Sequence, residues 1–140
     1  HMGGGLMNEL HGMILIDELP GSDCEFDRSF LERTGHQVVV CHGPGHKGLC
    51  PLLAGTGCEM VENAHGIVFA LDLDRAQHRA ILQRYHEITR PEVPIRAVVR
   101  PGQREKYADQ LSGFDVWEHE PTVADLDGFA AGVDAADRLT

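Results

Sequence analysis

A chain of 140 residues, 42% hydrophobic and with a formal net charge of −10, is long enough for one domain around one core and too apolar to be a disordered segment. Its 12 basic residues against 22 acidic ones exclude the electrostatic footprint of a nucleic-acid or anionic-membrane surface. No apolar run approaches the roughly 18 residues that a membrane-spanning helix requires. Residues 1–12, opening with His1-Met2, read as a tag remnant and N-terminal tail without an export signal, so the expected compartment is the cytoplasm, where thiols stay reduced.

Met13-Ile14-Leu15-Ile16 is a continuous apolar run, the pattern of a strand covered on both faces, and it ends in Asp17-Glu18. Ser22 or Asp23 is placed to cap a helix that carries Phe26, Phe30 and Leu31 on its inner stripe, and Gly35 is placed to end it. Gln37 to Val40 reads as a second strand, rich in β-branched valine. Gly66 to Leu71 is a third, ending at Asp72-Leu73-Asp74. Asp74 is placed to cap a helix from Arg75 to about Thr89, whose apolar stripe is Ile81, Leu82, Tyr85 and Ile88. On that helix His78 and His86 are expected to face solvent. Ile95 to Val99 is a fourth strand, and Gln103 to Leu111 a short helix with Tyr107, Ala108 and Leu111 inward. Phe114 to Trp117 is a fifth strand, and Val123 to about Arg138 a last helix with Leu126, Phe129, Ala130 and Val133 on its apolar face. Strands alternating with helices imply a parallel sheet with helices on both faces. Sites in such sheets form beyond the carboxyl ends of the strands, which places Asp17, Glu18, Cys41 and Asp72 on one edge.

One stretch departs from this alternation. Cys41 to Cys58 reads CHGPGHKGLCPLLAGTGC and holds three of the four cysteines. Its glycines and prolines replace the expected second helix with a Cys/His-rich loop. The spacing is Cys-x8-Cys-x7-Cys, with His46 inside the loop and Cys24 near the first helix as candidates for a fourth ligand. Thiolate and imidazole donors suit zinc, and three cysteines with a fourth ligand can also hold an iron–sulfur cluster. The spacing leaves two further readings open: a reversible disulfide among Cys41, Cys50 and Cys58, or cysteines that are simply small buried apolar residues. His119, beside Glu118 and Glu120, is expected at the same edge.

Five segments in this order resemble the receiver domain of two-component response regulators. ILIDELP is similar to the family's first strand and acidic pair, with Asp17 and Glu18 in the pair's positions; LERTGHQVVV is similar to the first helix and second strand; GIVFALDLD puts Asp72 in the place of the phosphoacceptor; VPIRAVV is similar to the fourth strand; EPTVADLDGFAAGVDAA is similar to the last turn and helix. The resemblance implies one receiver-like domain over residues 13–140. Its fold would be a single doubly wound, five-stranded parallel sheet of order 2-1-3-4-5. It also implies Mg²⁺ on the acidic residues, a hydroxyl after strand four and a lysine before the last turn. Here those last two positions carry Val99 and Glu120.

The expectation is therefore an atypical or pseudo-receiver: a non-catalytic regulatory protein acting through a protein partner or a homodimer. The face around Tyr107 to Trp117 is the one through which the resemblance implies association. A metal or thiol redox sensor built on the Cys loop, and a phosphorylatable receiver using Asp72 with Mg²⁺, are the alternatives. The sequence lacks a Gly-x-Gly-x-x-Gly, a P-loop, a nucleophile elbow and a Cys-x-x-Cys, so an enzyme is not expected.

Overall fold

The computed structural model describes residues 12–19, 25–42 and 59–137. Five strands form one all-parallel sheet: β1 (Met13–Glu18), β2 (Gln37–Cys41), β3 (Gly66–Ala70), β4 (Ile95–Val98) and β5 (Asp115–Trp117). Their spatial order is β2-β1-β3-β4-β5, the expected doubly wound order. The helices are α1 (Glu25–Arg33), α2 (Glu59–Glu62), α3 (Ala76–Ile88), α4 (Gln103–Lys106), α5 (Ala108–Leu111) and α6 (Val123–Asp137). Among the described residues no helix is long and apolar enough to cross a membrane.

The central strands are apolar on both faces because both faces are covered. Leu15, Ile67, Phe69 and Ala97 pack on one side with Ile81, Leu82 and Tyr85 of α3. Ile14, Ile16 and Val68 pack on the other with Leu31 of α1 and Leu126, Phe129 and Val133 of α6. Side chains alternate across a strand, so Asp17 points to the α3 side and Glu18 to the opposite one. Gly66 allows α6 to approach β3 closely: a Cβ there would lie 2.5 Å from Val133 Cγ2. Gly35 closes α1 with a positive φ of 95°, and the Gly35 and His36 amides return to the carbonyls of Glu32 and Leu31. Thr122 and Asp125 exchange two bonds at the start of α6, each side chain accepting from the other's amide.

Several local expectations are corrected. His78 is buried, not solvent-facing, because it continues the inner stripe of α3 one turn before Ile81 and Leu82. Ile88, at the end of the same helix, is exposed, and so is Phe26 on α1. Asp74 does not cap α3; Arg75 occupies the cap position without a side-chain bond. The stretch from Gln103 to Leu111 is two short helices broken at Tyr107, which turns Ala108 outward. Strand β1 runs on to Glu18, so the acidic pair lies within it.

Candidate functional site

The carboxyl ends of β1, β3, β4 and β5 surround an open cleft of about 890 Å³. Glu18, Asp72, Arg100, Gln103, His119 and Glu120 line it. Strand register brings the expected residues to this edge: Asp17 pairs with Cys41 of β2 on one side and with Phe69 of β3 on the other. Cys41 is therefore next to the acidic pair. Cys24, His46, Cys50 and Cys58 lie outside the described residues.

The three carboxylates have three different environments. Asp17 is 1% exposed and accepts a hydrogen bond from the Tyr85 hydroxyl of α3. Burial raises its pKa to about 7, with the Tyr85 bond acting in the opposite direction. Glu18 is also buried, and its Oε1 has no hydrogen-bond partner among the described residues. Its backbone carbonyl accepts from His42 Nδ1 at 3.2 Å.

Asp72 is the most heavily engaged. Its Oδ1 accepts from the Asp74 amide at 2.9 Å, Arg100 Nη2 at 3.1 Å and Gln103 Nε2 at 3.5 Å. Its own amide donates to His78 Nδ1 at 3.0 Å, which requires that ring nitrogen to be unprotonated. Burial depresses the pKa of His78, with the Arg75 charge adding to it. Gln103 is held in turn: its Oε1 accepts from the Arg100 amide at 3.0 Å while its Nε2 faces Asp72. Arg100 bridges Asp72 to Asp74, whose Oδ2 lies 2.5 Å from Nη2. Asp74 also accepts from the Tyr107 hydroxyl and from Lys106 at 3.3 Å, and these bonds, Tyr107 first, lower its pKa.

The two departures from the receiver pattern sit at the same edge. Val99 is buried and supplies no hydroxyl. Glu120 is exposed on the cleft wall. The cation at Asp72 comes instead from Arg100, directly after Val99. His119 lies across the cleft, bonded to Asp125 at 2.9 Å. Arg100 and Gln103 carry no expected role in the sequence, while Asp74 is expected to cap α3 and His78 to face solvent. His78 was legible, because it lies three residues before Ile81 and seven before Tyr85 on the α3 stripe.

Among the described residues the carboxylate oxygens do not converge on a site for the metal that the resemblance implies. A hard cation needs convergent oxygens. Asp17 is turned to Tyr85 inside the core, and Asp72 Oδ1 is taken up by the Arg100 guanidinium. Among the described residues no three His, Cys, Asp or Glu side chains converge to hold a metal ion.

No family model and no curated protein sequence matches the chain. Solved structures do. The receiver domain protein from Clostridium thermocellum aligns with a TM-score of 0.66 at 14% identity, covering 91% of this chain and 98% of that one. The receiver domain of the Francisella response regulator 1452 aligns at 0.56 and 16%, with coverages of 91% and 98%. NtrX from Brucella abortus, solved in complex with ATP, aligns at 0.64 and 14%; 93% of this chain matches 28% of that longer one. The chain thus has the doubly wound fold of response-regulator receiver domains.

Proposed function

We propose that this is a non-catalytic signalling module with a receiver fold, acting through a protein partner or a second copy of itself without phosphorylation at Asp72. The observation that carries the reading is the internal neutralisation of Asp72. A phosphoacceptor needs an accessible carboxylate and a site that neutralises the incoming phosphoryl charge. Here Asp72 Oδ1 accepts from an amide, a guanidinium and a carboxamide, while Glu120 and Val99 replace the lysine and the hydroxyl. Together with the bonds that Asp74 accepts from Lys106 and Tyr107, they join the segment after β3 to α4 and its end. In this reading they hold the face around Tyr107 to Trp117 in one state. Incubation with acetyl phosphate and Mg²⁺, followed by intact mass measurement, tests it. The expected result is unmodified protein; a phosphoryl adduct lost on Asp72→Asn would establish the phosphorylatable alternative.

A second element of the proposal is a zinc or thiol redox response at Cys41, Cys50 and Cys58, with His46 or Cys24 as fourth ligand. An iron–sulfur cluster is the other metal version. It is supported by the pairing of Cys41 with Asp17, which would connect the Cys loop to the cleft. Elemental analysis with thiol counting on native protein tests it: about one zinc per chain, or a pair of thiols that appears only after reduction, is expected. Absence of both would remove this element.

A further inference from the structure

The cleft contains one carboxylate that the arrangement around Asp72 leaves unanswered. Glu18 lines it and is 5% exposed, yet its buried Oε1 has no hydrogen-bond partner among the described residues. A buried carboxylate oxygen without a donor is costly, and such a group marks a place where a donor belongs. The surroundings define the donor's charge. Glu118, whose Oε2 accepts from the Gly102 amide at 3.1 Å, and Glu120 line the same cleft, opposed among the described lining residues by Arg100 and His119. Arg100 is already committed to Asp72 and Asp74, and His119 to Asp125.

The surroundings also define its shape. Among the described residues no three carboxylate, imidazole or thiol side chains converge to hold a compact ion. A planar cation with several N–H donors can span separated acceptors, and it is weakly hydrated enough to enter a partly apolar site. Phe26 offers such a surface: it lines the cleft and is 50% exposed, an uncommon state for a phenylalanine and one suited to stacking a guanidinium.

We infer that the cleft binds a guanidinium group, with Glu18 as its buried anchor, Glu118 and Glu120 as outer acceptors and Phe26 as the stacking face. The group belongs to an arginine side chain of a protein partner or to a free alkylguanidinium. This inference rests on the reading that Asp72 does not take a phosphoryl group, and its test does not involve phosphate, so the two fail separately.

The experiment is an amide-resolved NMR titration of the full chain with N-acetylarginine methylamide, ethylguanidinium and the neutral isostere N-acetylcitrulline methylamide. Saturable shifts are expected at residues around Glu18, Ala70 and His119 with both guanidinium probes and not with the citrulline compound. Tighter binding of the arginine probe assigns the ligand to a protein, and equal binding to a free cation. Glu18→Gln and Glu120→Gln should each weaken binding, by about ten-fold for the buried residue. Glu120 is exposed, so its variant keeps the test valid if Glu18→Gln fails to fold. Equal shifts with the citrulline compound, no saturable shift with either guanidinium probe, or unchanged affinity in the folded variants would overturn the inference.

Discussion

Replacing Asp17 with asparagine is predicted to stabilise the protein, and to do so only as the pH rises. Asp17 is buried, with a pKa raised from 3.8 to about 7 by desolvation. For an acid raised in this way, the folded state holds the proton more tightly than the unfolded chain. The stability contributed by the protonated carboxyl is fully present below 3.8 and is lost as the pH climbs through about 7. A gap of about three pH units corresponds to about 4 kcal/mol, and relaxation and water entry around the ionised group reduce it to about 2–4. Asparagine keeps the shape and still offers Tyr85 an oxygen, but it cannot ionise. Urea denaturation at about pH 5 and about pH 8 would measure the difference. The advantage of Asp17→Asn should grow by about 2 kcal/mol between the two conditions. Parallel behaviour of the two proteins, or a loss of stability in the variant at the higher pH, would refute an Asp17 that is buried and sparsely compensated.

Three more expectations follow from the same geometry. His36 is buried, with Thr34 Oγ1 2.7 Å from Nδ1 and Asp134 Oδ1 2.9 Å from Nε2, so His36→Ala should cost about 2–3 kcal/mol in chemical denaturation by uncoupling α6 from the α1–β2 turn. Gly66→Ala should cost about 1–3 kcal/mol, since the new methyl meets Val133 and Phe129 at 2.5 and 3.0 Å; an unchanged denaturation midpoint would show that α6 can shift at no cost. Arg100→Ala should change stability by under about 1 kcal/mol, because the guanidinium is exposed, yet combined with Val99→Thr and Glu120→Lys it should permit labelling by acetyl phosphate that is not expected of the native chain.

The strands were legible because a parallel sheet buried on both faces demands continuous apolar runs, and Ile14 to Ile16 and Ile67 to Phe69 are such runs. The edge rule then brought Asp17, Glu18, Cys41 and Asp72 together without any contact being known. What escaped was decided between strands. Val99 reads as a departure at the end of β4 with nothing to mark the Arg100 that follows it, but the fold sets that guanidinium beside Asp72. Tyr85 read as a core residue, and its hydroxyl acquires a role only because Asp17 falls on the α3 side of β1. Asp74 has the composition of a helix cap, but Arg100, Lys106 and Tyr107 draw its carboxylate across the loop instead. Ala108 was turned outward by a break at Tyr107 that helical periodicity does not encode.

An Asp72 neutralised from within predicts a cleft that does not accept a phosphoryl group. Beryllofluoride with Mg²⁺ mimics the acyl phosphate and needs the same site. Its addition to labelled protein is predicted to leave the amide spectrum unchanged at Asp72 to Asp74 and from Val98 to Tyr107. A slow-exchange second set of resonances in those two segments, abolished by Asp72→Asn, would show that Asp72 does take a phosphoryl group.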